Sequence, residues 1–586
     1  MSYFSSIFAN NKTQTNNESM SQENQNHILP QTLIEKLFPN KLPTPEELNE
    51  KYPKRELPPD AMVTRVGPSP TGLMHLGGLY SALISERFAH QTNGVFFLRI
   101  EDTDIERSRA ETTDVIVKSL NHFHIPTDEG MTISGDEKGK YGPYTQSARK
   151  DIYQGLVKSL VEKGKAYPCF CTSEETKSMG EEQVKEGLRP GYYGKWAKWR
   201  DASVEEIEKE LEKNTPYVIR FRSEGNFENK IKVSDLLKGD LELSENDIDR
   251  KILTAATGLP TYHLAHAVDD HYMGTTHVLR GDEWLSSVPL HLQLFEALGF
   301  TPPRYGHLAP IQKEDGMNEK GDIIKRKISK RKDPEANAML YEELGYPPRA
   351  VVEYLLNLAN SSFEDWRKAN PDTDNSEFQL TFEKLSRSNG PLFDMVKLND
   401  VSKEIISRMT AEEIYAVGLE WAKKYDERLA LEMEKDSSYA KSILNIEREG
   451  ESRGRKDISK WADLNSEMGY FFDPIFDEIK DNREETLSFV TKEDCDSAIK
   501  SFLETYNEND TKDEWFAKVK TIARDLGYAE GAKQFKLEPT KYKGQVGDIA
   551  KIFRVLLTGK TNTPDLHSIM KVMGRERLVQ RINSLA

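Results

Sequence analysis

The stretch from residue 62 to 104 most constrains what this chain can fold into. Residues 62–66 (MVTRV) read as a short strand, and 67–72 (GPSPTG) as a turn stiffened by Pro68 and Pro70. From Leu79 the spacing of Leu79, Ala82, Leu83 and Phe88 predicts a helix packed on one face. Residues 95–100 (VFFLRI) form a largely apolar run of strand length that ends in the acidic turn EDTD. Strand, tight turn, helix and buried strand open a doubly wound α/β domain, whose ligands sit beyond the carboxyl ends of the strands.

The rest of the chain is organised around that unit. A length of 586 residues accommodates several domains at about 150 residues each. After about residue 336 the pattern becomes long, charged, amphipathic helices, so the second half is expected to be α-helical. Residues 1–28 are rich in Asn, Gln and Ser, and predict a flexible tail. A short amphipathic piece follows (Leu33, Ile34, Leu37, Phe38), then a linker punctuated by Pro43, Pro45, Pro53, Pro58 and Pro59. Residues 1–60 are therefore expected to be a flexible extension. Its start, MSYFSSIFAN, lacks a basic n-region, and the first arginine is Arg55, which argues against secretory and transit peptides. No uncharged apolar run approaches the roughly 20 residues of a membrane span. Three cysteines exclude a disulfide scaffold and fit a reducing, cytoplasmic setting.

Net charge is −16, which by itself disfavours a phosphate-coated partner. The local pattern differs: residues 320–332 carry seven Lys/Arg against one Asp, and 531–586 carry eleven Lys/Arg against four Asp/Glu. Segregated positive charge is the footprint of nucleic-acid contact, although a solvated helix face gives the same count.

Two constellations carry chemistry. TRVGPSPTGLMHLGG, residues 64–78, brings Gly72, Gly77 and Gly78 where backbone can approach a ligand, and sets His75 just before a helix N-terminus, a ready anion site. KISKR, residues 327–331, puts Lys327 and Lys330 on either side of a serine, where they can neutralise charge on a departing pyrophosphate. A lone histidine is usually structural, and a basic run is usually a solvated or nucleic-acid-binding patch.

In this order, about 250 residues apart, the two stretches resemble the HIGH and KMSKS signatures of class I aminoacyl-tRNA synthetases. FFLRIEDTD (96–104), PTYHLAHAVDDHYMGTTHVLRGDEWLSS (260–287) and KISKRKD (327–333) narrow the resemblance to bacterial-type glutamyl-tRNA synthetases. FRVLLTGKTNTPDLHSIMKVMGRERLVQRI (553–582) is similar to that family's anticodon-binding tail.

The resemblance implies a Rossmann-like catalytic domain over 61–335 with an acceptor-binding insert at about 161–250. A connecting domain over 336–400 and a helical anticodon-binding domain over 401–586 would follow. It implies that Arg65 and Arg280 grip the glutamate carboxylates, that Glu101 holds the ammonium, and that Tyr262 and Ser69 line the amino-acid pocket. Arginine suits the first task because its planar fork pairs bidentately with a carboxylate and would reject neutral glutamine. ATP would be bound by His75, Gly77, Gly78, Glu283, Trp284 and Lys330, with His75, Lys327 and Lys330 as the catalytic set. Mg2+ is implied with ATP, and tRNA-Glu, L-glutamate and ATP are the implied partners of a monomer. Arg577 and Arg581, four residues apart in MGRERLVQRI, share a helix face and are expected to meet tRNA.

Two positions depart from the family. Gly78 stands where the second histidine of HIGH would be, as is common in bacterial glutamyl enzymes. His266, four after Tyr262, replaces an asparagine of some relatives. Some relatives also bind zinc through a C-x-C; here Cys169 and Cys171 have no nearby third Cys or His, since Cys495 is distant, so no structural zinc is expected. The dense set His263, His266, Asp269, Asp270 and His271 admits a metal-dependent hydrolase, but alternating side chains of a strand would not converge. A non-catalytic tRNA-binding paralogue would be expected to lose His75, Arg280 or Lys330. A glutamyl-queuosine-type enzyme would lack the helical half. The sequence leaves open whether tRNA-Gln is charged as well.

Overall fold

A computed structural model describes residues 27–70, 72–104, 110–385, 390–448, 454–480 and 483–584. The chain divides into two compact units: residues up to 339 together with 355–393, and 340–354 together with 394–586.

The first unit is built on parallel strands. Val63–Val66 pairs in parallel with Val95–Leu98, which pairs in parallel with Glu129–Met131. On the other flank His277–Gly281 runs parallel to Arg304–Leu308, and the Thr276 N–H donates to the Val63 carbonyl at 3.0 Å. The predicted helix runs Leu76–Gln91 and crosses between the first two strands. Val63, Phe96, Phe97, Leu98, Val278 and Leu279 are buried, as strands covered on both faces require. Arg65, Glu101 and Arg280 all leave the carboxyl ends of these strands or the turns that follow them.

Within the expected insert, Ala166–Cys169, Val218–Phe221 and Lys251–Thr254 form an antiparallel sheet edged by Leu259–Pro260, so the sheet extends past residue 250. Lys230–Asp235 and Gly239–Ser244 pair as a separate hairpin.

Two expectations are corrected here. The extension is not flexible throughout: Gln31–Leu37 and Pro45–Lys51 are helices, the second opened by a Thr44–Glu47 capping box. Ile34, Leu37, Phe38, Leu48 and Tyr52 join one buried cluster with Tyr153, Leu156, Val157 and Leu160 of the helix Lys150–Glu162. Each such side chain contributes roughly 1.5–3 kcal/mol when fully buried, enough to offset ordering a segment that the prolines already stiffen. Arg55 closes the strap, donating to both Glu129 oxygens at 2.9 and 2.6 Å and to the Met273 carbonyl. The expected tail at 1–26 lies outside the described residues. The second correction concerns residues 262–272, which form a helix, Tyr262–Tyr272, rather than a strand.

The second unit is helical, with no strand among its described residues. Capping boxes start Ala411–Tyr425 (Thr410–Glu413) and Lys512–Asp525 (Thr511–Glu514). Its core gathers Ile549, Ile552, Phe553 and Leu556 of the helix Val546–Thr558 with Phe502, Val519, Ile569, Leu578 and Ile582. The Phe502 and Phe553 rings stack at 4.2 Å.

Candidate active site

The carboxyl ends of the parallel strands open into a cavity of about 860 Å3. Arg65, Ser69, His75, Gly77, Gly78, Glu101, Tyr262, Arg280, Glu283, Trp284, Lys327 and Lys330 all line it. The sequence reading named these twelve from segments 250 residues apart, and the fold brings them to one wall-to-wall space.

His75 is the N-cap of the helix Leu76–Gln91, its Nδ1 accepting the Gly77 N–H at 2.9 Å. The imidazole proton therefore sits on Nε2, where the Ile328 backbone of the KISKR loop is its partner. Burial lowers the His75 pKa, reinforced by the charges of Lys330 and Lys327, so the ring is neutral at physiological pH. The KISKR loop is anchored by buried Ile328, whose N–H bonds the Ile311 carbonyl. Asp333 braces it, accepting both Arg326 amines at 2.6 and 2.8 Å and the Ser329 N–H at 2.9 Å. Lys330 Nζ reaches the Leu73 carbonyl beside the glycine turn, and Lys327 Nζ lies 3.4 Å from Glu283.

At the other end Glu101 is buried beside Gly67, where a Cβ would stand 2.3 Å from its Oε1 and would displace the carboxylate. Burial raises the Glu101 pKa, opposed by Arg99 and Arg65. Arg99, fully buried, ties this carboxylate (2.8 Å) to Asp270 (2.7 Å). Burial alone would raise the Asp270 pKa, but Arg99 and Arg65 hold it well below the usual carboxylate range. Arg65 Nε is 3.4 Å from the same Asp270. Asp269, 3.8 Å from Arg99 Nε, is hydrogen-bonded by Arg149, Gln146 and Tyr153.

Arg280 differs. It is buried, yet among the described residues no carboxylate lies within ion-pair distance. Its Nε donates to His307 Nε2 (3.1 Å) and Nη1 to the Tyr262 hydroxyl (3.2 Å). Nη2 faces the Trp284 carbonyl (3.5 Å) and His291 Nδ1 (3.3 Å). Every partner is neutral, so its charge is open to a ligand. Trp284 packs on Tyr262 with ring centroids 4.0 Å apart, which puts it beside the arginine.

His266 does not line the cavity. It is fully buried, its ring stacked on Tyr262 at 5.8 Å, its Nδ1 2.6 Å from Asp270, and burial pushes its pKa down to about 3. The asparagine position is thus occupied by a supporting residue. Cys169 and Cys171 both face the Tyr192 hydroxyl, at 3.5 and 3.6 Å. Among the described residues no three His, Cys, Asp or Glu side chains converge as a metal cluster.

Several contributors were missed. Arg99 and Asp270 stand inside quoted segments, but only the fold shows that they meet. His307 and Asp235 carried no local signal. Behind Tyr262 and Trp284 a second cavity of about 480 Å3 is lined by Arg220, Arg250 and Lys251.

Arg581 requires correction. Arg581 is buried, and its amines bond the carbonyls of Tyr470, Leu557 and Phe471 and the Asp473 carboxylate. Arg577 binds Asp473 at 3.1 Å and the Tyr439 hydroxyl at 2.6 Å. Arg581 is thus an internal anchor, whereas Arg577 on the same face keeps a side chain 30% exposed.

Comparison with known proteins agrees with this geometry. The model of tRNA synthetases class I (E and Q), catalytic domain, matches residues 61–399, and an anticodon binding domain matches 453–586. A glutamate–tRNA ligase of Clostridium perfringens (strain 13) is 46% identical over 94% of this chain and 100% of its own length. One of Sorangium cellulosum is 45% identical over 92% and 97%. The crystal structure of a glutamate–tRNA ligase of Elizabethkingia meningosepticum, 24% identical, shares the fold with a TM-score of 0.66 over 89% of this chain and 98% of that one. The chain belongs to the class I tRNA synthetases of the E and Q family, among relatives that are glutamate–tRNA ligases.

Proposed function

We propose that the protein ligates L-glutamate to the 3′ end of tRNA-Glu at the expense of ATP. A glutamate carboxylate oxygen attacks the α-phosphorus, forming glutamyl-adenylate and releasing pyrophosphate. A ribose hydroxyl at the tRNA 3′ end then attacks the glutamyl carbonyl, and AMP leaves. As in other phosphoryl-transfer chemistry, the protein positions reactants and stabilises charge.

The observation that carries this reading is the convergence of Arg65, Glu101 and Arg280 with His75, Lys327 and Lys330 on one cavity. Glu101, fixed by Arg99, takes the ammonium, and Arg65 lies beside it at the α-carboxylate end. Arg280, with neutral partners only, takes the side-chain carboxylate. His75 and the helix N-terminus hold phosphates, while Lys327 and Lys330 neutralise the pyrophosphate side. Magnesium, where it accompanies ATP, would supply charge neutralisation at the phosphates beside Lys327 and Lys330. The neighbouring cavity with Arg220, Arg250 and Lys251 offers positive charge to the tRNA acceptor end. Further elements of the reading are a monomer, testable by sedimentation, and a cytoplasmic location. Charging assays with labelled glutamate on purified tRNA-Glu and tRNA-Gln test the activity and decide whether the enzyme discriminates. Absence of charging on both would refute it.

A further inference from the structure

Arg280 owes its direction to a relay that begins outside the cavity. Asp235 ends one strand of the hairpin formed by Lys230–Asp235 and Gly239–Ser244. Its Oδ1 accepts the Leu237 and Lys238 N–H groups, each at 2.9 Å, so one carboxylate oxygen builds the hairpin turn. Its Oδ2 lies 2.6 Å from His307 Nδ1 on the strand Arg304–Leu308. The Leu236 N–H donates to the Tyr305 carbonyl at 2.8 Å, pinning the hairpin to that strand. His307 is fully buried, and its Nε2 faces Arg280 Nε at 3.1 Å.

The proton inventory admits one arrangement. A guanidinium Nε–H can only donate, so His307 Nε2 must be the unprotonated acceptor. The ring proton then sits on Nδ1, directed at the Asp235 carboxylate, which can only accept. Asp235 thus selects the tautomer, and the tautomer presents a lone pair to Arg280. A ring protonated on Nε2 would set two N–H groups against each other and turn the guanidinium away. Because His307 absorbs the carboxylate, Arg280 is oriented without being neutralised; a carboxylate placed directly on it would cancel the charge that the substrate needs.

We propose that Asp235 and His307 are positioning residues for the amino-acid substrate, acting through Arg280 as a carboxylate–imidazole–guanidinium relay that aims an uncompensated cation at the glutamate side chain. This rests on the assignment of Arg280 to that carboxylate, and it makes the hairpin part of the glutamate site.

Asp235→Asn isolates the relay. Its carbonyl oxygen can still accept the turn N–H groups, but its NH2 now donates to Nδ1 and forces the proton onto Nε2. The glutamate KM is expected to rise roughly 10- to 100-fold, the effect of losing a hydrogen bond to a charged group, with the ATP KM and unfolding temperature little changed. His307→Gln supplies an amide oxygen near the Nε2 position without a tautomer to select. On that background Asp235→Asn should therefore lose most of its effect. A rise in the glutamate and ATP KM together, or a lowered unfolding temperature with unchanged kinetics, overturns the relay. So does an undiminished Asp235→Asn effect on the His307→Gln background. If Asp235→Asn does not fold, His307→Gln against His307→Leu decides: the relay predicts a much lower glutamate KM for Gln, and equal values sink it. Wild-type enzyme that failed to charge glutamate would refute the assigned reaction, not the relay.

Discussion

Arg280 and Arg581 are buried almost equally, 5% and 3% exposed, yet they do opposite things. Arg581 spends its amines on three backbone carbonyls and a carboxylate within the helical unit. Arg280, at a strand end of the α/β unit, meets two imidazoles, a phenol and a carbonyl, all neutral. A buried charge is tolerated when paired and fully hydrogen-bonded. The first arginine is paired with a carboxylate internally, through its two terminal amines, and is structural. The second leaves the charge term open and faces a cavity. The comparison shows that the chemistry of the partners, more than residue type or burial, separates an anchor from a binding group.

The comparison breaks first at Arg280. Arg280→Gln should lower kcat/KM for glutamate by the roughly 2–5 kcal/mol lost when a buried carboxylate loses its charged partner, with the unfolding temperature nearly unchanged. Steady-state charging beside thermal unfolding checks both halves; unchanged kinetics would mean that the open charge serves nothing. Arg581→Met should do the reverse. It strands buried carbonyls, at roughly 1–3 kcal/mol for each group left unsatisfied, so denaturant unfolding of the second unit should shift while glutamate and ATP kinetics of the folded enzyme hold. A variant as stable as wild type would contradict the anchor.

Acid separates the units more gently. In the first unit burial pushes the His266 pKa down to about 3 and the His277 pKa down to about 4. Below about pH 6.5 the unfolded chain takes up protons that these folded rings refuse, so stability falls by about 1.4 kcal/mol per pH unit for each ring, down towards pH 4. The second unit contains only one histidine, His567. Hydrogen exchange at pH 7 and pH 5 should therefore show the larger loss of protection in the first unit, and equal losses would remove the distinction. The smallest effect belongs to Arg577→Ala. With Arg577 held by Asp473 and Tyr439, tRNA Kd measured across a salt series should give lines that superimpose with wild type; a flatter slope would return it to the tRNA interface.

What the sequence made legible follows the same division. The residues 62–104 were readable because strand, Gly/Pro turn and helix are local patterns, and the His75 and KISKR stretches because their spacing and order resemble a known family. Arg581 was misread because a heptad-like face states which residues share a side, not whether that side meets solvent or a carbonyl cluster more than 100 residues away. The extension was misread because its prolines suggest a linker, whereas the partners of Ile34 and Leu48 lie on the helix Lys150–Glu162. Residues 262–272 do not suit a strand, since Leu264, Ala265 and Val268 fall at helical spacing; Asp269 and Asp270 show their purpose only once Arg99 and Arg149 are folded against them. Asp235 and His307 had no signal at all, since a relay across three elements leaves no pattern in any one of them.

The central claim, that Arg280 keeps an uncompensated charge for the substrate side chain, is tested most directly by amino-acid selectivity. The quantity is the ratio of kcat/KM for glutamate to kcat/KM for glutamine, in wild type and in Arg280→Gln. The account predicts that the ratio collapses by about a hundredfold or more in the variant, equivalent to about 2.7 kcal/mol of differential binding. An unchanged ratio, even with both substrates weakened, would contradict it, because Arg280 would then hold a group that the two amino acids share.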